Sequence, residues 1–280
     1  MKKIFVIILA FIMVMGFTSC GTSQQGNSSG KTEVSVFVAA SLNSVMEELK
    51  AEFEAEHEDV TILINADSSG VLLTQIQEGA ACDLFFSASQ KQMNILEEEG
   101  MLIEGTRKNV LNNKLVVLTQ VDSETEVTGL TTLGKASSIA LAGGSVPAGD
   151  YTRRALVHLG ILDETDDPGA YTTQEVSDAL GGVEISEQSN VSKVLTAVIE
   201  GSCEVGTTYL SDTYGHEESV RIIEEVPYEV TGNIIYPAAL IANPDASDEE
   251  ASAAEEFFGF ITGDRAKELY AEHLFDPEVE

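Results

Sequence analysis

The sequence predicts an α/β fold with mostly parallel sheets. From residue 34 onward, short apolar runs alternate with amphipathic stretches, and this alternation is typical of strands and helices that follow one another in a parallel sheet. The chain has 280 residues, of which 43% are hydrophobic. It is therefore long enough to bury the core of one large domain or two medium ones.

Each element is predicted from the spacing of apolar residues. Leu42, Val45, Met46, Leu49 and Phe53 recur at the spacing of one helix face. Short apolar runs between small or charged residues indicate strands. The predicted strands cover residues 34–40, 60–64, 84–86, 115–118, 139–142, 205–209, 221–226 and 234–241. The predicted helices cover residues 42–53, 72–79, 90–99, 151–159, 191–199, 248–261 and 264–273.

The first residues are typical of an export signal rather than of a fold. Two lysines precede an apolar run of signal-peptide length at residues 4–17, which predicts a signal peptide over residues 1–19. Cys20 follows small residues, as in lipoproteins, and residues 20–33 are predicted to form a lipidated cysteine and a flexible tether. The protein is therefore expected outside the cytoplasm, anchored to the cell membrane. The alternative is an ordinary secretory signal with an incidental Cys20 and a soluble product.

The charge balance excludes one class of partner. There are 47 acidic and 15 basic residues, for a formal net charge of -32, so nucleic acid is not expected, because phosphate contacts need lysine and arginine. Cys82 and Cys203 are predicted to be small buried residues rather than a disulfide framework. The four histidines are scattered, so neither a metal site nor a cofactor is predicted.

Four predicted junctions before helices place small residues where a helix begins. They are residues 39–43, 67–70, 146–150 and 188–191. The first N–H groups of a helix lack intrahelical partners, and the helix dipole makes this end positive. Any one of these junctions is accounted for as an ordinary helix cap. Several that converged on one point would bind an anion without lysine or arginine.

The sequence resembles the periplasmic molybdate-binding protein family of ABC importers over nearly all of its length after the tether. The matching motifs, in order, are VFVAASL at 36–42, SSG at 68–70, QIQEGA at 75–80, DLFFSA at 83–88, TRKN at 106–109, VPAG at 146–149, GTTYLSD at 206–212 and YPA at 236–238. The resemblance implies a two-lobed clamshell with ligand in the cleft between the lobes. One lobe would comprise residues 34–113 plus 232–280, and the other residues 114–231.

The resemblance also implies a ligand and the residues that bind it. Molybdate, and tungstate with it, would be held by the hydroxyls of Ser41 and Ser69, by backbone N–H groups of these two residues and of Ala148 and Val191, and by the Tyr209 phenol. Because Gly70 stands where the family often has serine, this loop is expected to be looser. Arg153 and Arg154 are expected to flank a helix rather than touch ligand. The partners implied are a membrane permease and its ATPase subunit, and the protein is expected to be a monomer.

Other functions stay open at this stage. A binding protein for sulfate, an iron complex or a small organic anion could use the same fold. A secreted serine hydrolase using Ser41 or Ser69 is a distant alternative, because the sequence has no G-x-S-x-G motif and no evident histidine and aspartate partners. A structural surface protein would not need the four anion-binding junctions.

Overall fold

Strands and helices alternate along the computed structural model, which describes residues 30–279. The strands of this part are β1 Thr32–Ala39, β2 Val60–Asp67, β3 Leu84–Phe86, β4 Lys108–Asn113, β5 Leu115–Gln120, β6 Ser138–Ala142, β7 Glu184–Gln188, β8 Val205–Tyr209, β9 Val220–Glu225 and β10 Ile234–Leu240. The α-helices are α1 Asn43–Glu56, α2 Ser69–Gln77, α3 Gln90–Glu98, α4 Pro147–His158, α5 Thr173–Ala179, α6 Val191–Ile199, α7 Tyr228–Thr231, α8 Asp248–Ile261 and α9 Asp264–Glu272. The predicted signal peptide, residues 1–19, lies outside the described residues. Most of the predicted tether, including Cys20, lies outside them as well.

The first sheet has the strand order β2-β1-β3-β10-β4. Strands β1, β2 and β3 pair in parallel, whereas β10 is antiparallel to both of its neighbours, so four of the five strands run in one direction. Apolar side chains pack on both faces of β1. Val36 and Val38 belong to one buried cluster, and Phe37 belongs to a second cluster with Leu72 and Phe85. This two-sided burial explains why the second half of β1, residues 36–39, is a continuous apolar run.

The second sheet repeats this arrangement with the order β7-β6-β8-β5-β9. Strands β6, β7 and β8 pair in parallel, and β5 is antiparallel to β8 and β9. Helix α6 packs on one face, where Val194 and Val198 contact the cluster around Val116 and Leu118. The predicted α/β architecture of two lobes, each with a mostly parallel sheet flanked by helices, is confirmed.

The chain crosses between the sheets twice. It leaves the first sheet after Asn113 and enters the second at Leu115, and it returns between Glu225 and Ile234. Both sheets belong to one compact unit, Lys31–Glu280. The lobe boundaries expected from the sequence stay a prediction.

Some elements differ from the sequence prediction for identifiable reasons. Helix α4 begins at Pro147 rather than at 151, because its first turn is built from small residues that give no apolar periodicity. Strands β4 and β7 and helix α5 were not predicted. Strand β7 (EISEQ) is an edge strand with no fully buried residue, so it lacks the apolar run by which strands are detected.

The cysteines and the lengths of the helices complete the description of the fold. Cys82 and Cys203 are buried and form no disulfide, as predicted. Within residues 30–279, no helix is both long enough and apolar enough to cross a membrane.

Candidate functional site

One small cavity lies where helix N-termini from the two lobes meet. The first lobe contributes the 3-10 turn Ala40–Leu42 that follows β1, the start of α2, and Ala88. The second contributes the starts of α4 and α6 and the end of β8. The lining residues are Ala39, Ala40, Ser41, Ser68, Ser69, Ala88, Val146, Pro147, Ala148, Val191 and Tyr209. The space open to the centre of a water-sized sphere is only about 10 Å³, so the cavity fits a small ligand and not a drug-sized one.

All five residues singled out from the sequence line this cavity. They are Ser41, Ser69, Ala148, Val191 and Tyr209. Each is buried, with exposed fractions between 0% and 8%. Residues nearly 170 positions apart in the chain are therefore brought together at one point. Their role in binding a ligand stays a prediction.

Three helices direct unused backbone donors to this region. Ser69 and Val191 are the first residues of α2 and α6, and Ala148 is the second residue of α4 after Pro147. None of their N–H groups donates to an acceptor in the described part of the chain. Helix N-termini carry a partial positive charge, so this arrangement favours an anion.

The neighbouring caps hold these helix starts in place. The Ser68 hydroxyl accepts a hydrogen bond from the N–H of Val71 at 3.3 Å. The Asn190 side chain accepts one from the N–H of Lys193 at 3.0 Å. Because the cap residues satisfy the third N–H of each helix, the earlier N–H groups remain for a ligand.

Each of the two serine hydroxyls is held by a hydrogen bond within the protein. The Ser69 Oγ accepts a hydrogen bond from the N–H of Ala88 at 2.9 Å, and the Ser41 Oγ lies 2.9 Å from the Tyr236 hydroxyl. Neither Ala88 nor Tyr236 was assigned a role from the sequence. Their motifs DLFFSA and YPA were noted, but the contacts join residues far apart in the chain and only the fold shows them.

Tyr209 has a buried hydroxyl without a partner among the described residues. Its ring packs edge-on against that of Tyr236, with centroids 5.8 Å apart. Burial, assisted by nearby Tyr236, raises the pKa of Tyr209 well above its ordinary value. The phenol is therefore a neutral hydrogen-bond donor at the cavity, and a buried donor without an acceptor is costly unless a ligand supplies one.

No charged side chain lines the cavity among the residues named above. Arg153 is fully buried but donates to the carbonyls of Ala142, Gly149 and Tyr171, and Arg154 pairs with Asp150 at 2.9 Å. Both therefore support the α4 region without lining the cavity. Among the described residues, no histidine lines the cavity either.

The lobes touch each other beside the cavity. A Cβ atom placed on Gly70 would lie only 2.5 Å from the carbonyl oxygen of Ser145 in the opposite lobe. The missing side chain permits this close packing. The looser loop expected from the sequence stays a prediction. The Asn190 amide also donates to Asp67 Oδ1 across the cleft at 3.0 Å.

A family match places this fold and cavity in a known class of protein. Residues 34–276 match the family described as bacterial extracellular solute-binding proteins. The match covers most of the chain, and the protein belongs to this family. It is an extracytoplasmic solute-binding protein and not an enzyme.

Individual relatives show which members of this class the chain is similar to. The chain is 28% identical over 273 residues to YvgL of Bacillus subtilis (strain 168), provisionally named an ABC transporter substrate-binding lipoprotein, with 97% of this chain and 96% of YvgL covered. It is 29% identical over 255 residues to the molybdate-binding protein ModA of Escherichia coli (strain K12), covering 87% and 88%. The resemblance found in the sequence motifs is thereby confirmed.

A solved structure supports the fold independently. The periplasmic molybdate-binding protein of Azotobacter vinelandii superposes with a TM-score of 0.71, covering 88% of this chain and 100% of that chain at 22% identity. This likeness establishes the architecture.

Proposed function

We propose that this protein is the substrate-binding lipoprotein of an ABC importer and that it captures molybdate, and tungstate in the same way, as a tetrahedral dianion. The observation that carries the proposal is the buried cavity whose polar groups are neutral hydrogen-bond donors drawn from both lobes. Its ligand residues would be Ser41, Ser69, Ala148, Val191 and Tyr209. The molybdate-binding relatives support this choice of ligand.

The proposed site explains how a protein with a formal net charge of -32 binds an anion. The helix starts at Ser69, Ala148 and Val191 bring partial positive charge to the cavity without lysine or arginine. Hydrogen bonds to a charged acceptor are worth roughly 1.5–3 kcal/mol each, although such values do not simply add. Several of them in one closed cavity are consistent with tight binding.

The donor set also predicts which anions are rejected. No carboxylate lines the cavity within residues 30–279, so a ligand that carries a proton would find no strong acceptor there. Phosphate near neutral pH retains a proton, and leaving a buried donor unpaired costs about 1–3 kcal/mol. Molybdate, tungstate and sulfate are fully ionised, and discrimination against sulfate would depend on its smaller size.

Delivery and location complete the proposal. Ligand that contacts both lobes favours the closed state, and this state would be recognised by a membrane permease with an ATPase subunit. Lipid attachment at Cys20 would keep the protein at the membrane, as the lipoprotein name of YvgL supports. We further propose that the protein acts as a monomer.

Thermal unfolding of the extensively dialysed unit Lys31–Glu280, with sodium molybdate, tungstate, sulfate or phosphate at one concentration, tests this function. We expect molybdate and tungstate to raise the Tm strongly and phosphate to leave it unchanged. Binding to the folded state adds about 2.7 kcal/mol when the ligand is at one hundred times its Kd.

The other outcomes are equally informative. A shift with sulfate alone would retain the importer assignment and change its substrate. No shift with any of the four oxyanions would overturn the oxyanion site and direct the search to organic ligands.

A further inference from the structure

A chain of buried side chains runs from the crossing between the lobes to the cavity. The Asn113 side-chain nitrogen lies 2.9 Å from the Ser211 hydroxyl and 3.1 Å from the Tyr236 hydroxyl. The Tyr236 hydroxyl in turn lies 2.9 Å from the Ser41 Oγ. All four residues are buried, with exposed fractions between 0% and 8%, so water does not compete for these bonds.

The direction of each hydrogen bond follows from the asparagine. The N–H of Lys114 donates to Asn113 Oδ1 at 2.8 Å, which identifies that atom as the oxygen and leaves Nδ2 as the donor to Tyr236 and Ser211. Either oxygen could donate in the bond between Tyr236 and Ser41. We assign the Tyr236 hydroxyl as the donor, because the reverse direction would leave its buried hydrogen without an acceptor among the described residues. The Ser41 oxygen then accepts, and the Ser41 hydrogen is left for the cavity.

Tyr236 is suited to this task because it stays protonated. It is fully buried, and burial, together with the nearby Asp212 carboxylate, raises the pKa of its hydroxyl well above the ordinary value. Hydrogen bonds arranged head to tail strengthen one another, so a donor behind Ser41 makes Ser41 a better donor to an anion.

We propose that Tyr236 and Asn113 are positioning residues that hold the Ser41 hydroxyl as an obligate donor to the oxyanion. This inference rests on the proposed function and adds two residues that do not line the cavity. The Ala88 N–H plays the equivalent part behind Ser69. With a donor behind each serine oxygen, the hydrogen of each serine is left for the cavity, so both hydroxyls act as donors and the site favours fully ionised ligands.

The test is a double-mutant cycle between Tyr236→Phe and Ser41→Ala, with Kd values for molybdate measured by calorimetry. Tyr236→Phe keeps the ring and removes only the hydroxyl. We expect it to weaken molybdate binding about tenfold, equivalent to about 1.4 kcal/mol. In the Ser41→Ala background the same change should alter the Kd less than twofold, because the hydroxyl through which it acts is gone.

Tyr270→Phe is the matched control. Tyr270 is also fully buried, its ring packs against Phe275 as that of Tyr236 does, and its hydroxyl donates to the Ile261 carbonyl at 2.8 Å. This variant should lose a comparable amount of thermal stability without a change in molybdate affinity. Asn113→Ala provides a second route into the same cycle if Tyr236→Phe does not fold.

Selectivity separates positioning from a general loss of structure. In Tyr236→Phe the affinities for molybdate and sulfate should fall together, while the affinity for phosphate, measured by competition, should not fall. An equal loss in both Ser41 backgrounds, or an equal loss for all three anions, would overturn the inference while leaving the proposed function intact. If the wild-type protein shows no heat with molybdate, tungstate or sulfate, the proposed function fails first and the inference fails with it.

Discussion

Tyr209 illustrates how a single residue can bind at the expense of stability. Its hydroxyl is buried and has no partner among the described residues, although most buried polar groups in proteins are paired. An unpaired buried donor costs about 1–3 kcal/mol. A ligand that accepts a hydrogen bond from the Tyr209 hydroxyl would remove this cost.

Replacing Tyr209 with phenylalanine should therefore separate binding from stability. We expect the molybdate affinity of Tyr209→Phe to fall at least tenfold, about 1.4 kcal/mol, because one donor is lost. The ligand-free protein should be as stable as the wild type or more stable, because no internal hydrogen bond is broken. Calorimetric titration and denaturant unfolding measure the two effects.

Tyr270→Phe again serves as the comparison, with the opposite expectation. It breaks an internal hydrogen bond to Ile261, so it should destabilise the fold and spare affinity. A Tyr209→Phe variant that was destabilised and bound molybdate normally would show that Tyr209 is a core residue only.

The start of helix α6 combines a cap with a contact between the lobes. Asn190 Oδ1 accepts from the N–H of Lys193 at 3.0 Å, while Asn190 Nδ2 donates to Asp67 Oδ1 at 3.0 Å. The next residue, Val191, begins α6 and lines the cavity. One side chain thus fixes a proposed ligand donor and ties it to the opposite lobe.

Asn190→Asp tests this element without removing the cap. Aspartate caps helices as well as asparagine does, but a carboxylate at this position would face the Asp67 carboxylate across the cleft. We expect molybdate affinity to fall about tenfold, or about 1.4 kcal/mol, because the closed state is disfavoured. Adding Asp67→Asn should restore most of the affinity, since the donor and acceptor are then exchanged.

A substitution at the neighbouring residue serves as the control for the effect of added negative charge. Ser189→Asp places the same charge one residue away, where the described structure shows no contact with Asp67. If Ser189→Asp weakens binding as much as Asn190→Asp, or if Asp67→Asn restores nothing, the contact across the cleft does not contribute to closure.

The elements also show which parts of the fold can be detected locally. Helix α6, strand β8 and helix α8 have the predicted bounds, because buried faces impose a clear apolar spacing on them. Strand β4 (KNVLNN) has two apolar residues, and its buried Asn112 and Asn113 form hydrogen bonds with distant residues. The hydrogen bonds to residues far along the chain allow these asparagines to be buried, so local apolar spacing could not reveal the strand.

At the scale of the whole molecule, closure depends on contact between backbones. Gly70 in the first lobe leaves no room for a Cβ atom next to Ser145 in the second, with a separation of only 2.5 Å. Even the smallest side chain should therefore hold the lobes apart, although alanine is the better residue within a helix by roughly 0.8–1.0 kcal/mol.

Gly70→Ala should accordingly impair closure without unfolding the protein. We expect molybdate to bind more than tenfold more weakly, a loss above about 1.4 kcal/mol, and the ligand-free Tm to stay at or above that of the wild type. Small-angle X-ray scattering should show that molybdate reduces the radius of gyration of the wild type and leaves that of the variant unchanged.

Gly259→Ala is the control for helix propensity. Gly259 lies within α8, and a Cβ atom there would meet nothing within 4 Å. It should gain stability and retain both affinity and compaction. Normal compaction of Gly70→Ala with molybdate would mean that Ser145 moves aside at little cost.

Three features could be predicted from the sequence: the alternation of strands and helices, the donor-rich junctions and, through motifs that resemble a known family, the five residues that line the cavity. These properties are local, because apolar spacing and helix caps depend on residues that are close together in the sequence. Three other features are visible only in the folded protein: the junctions converge, Tyr236 and Asn113 lie behind Ser41, and Gly70 packs against Ser145. Those contacts join residues far apart in the chain, and their geometry is set by how the two sheets pack rather than by any local pattern.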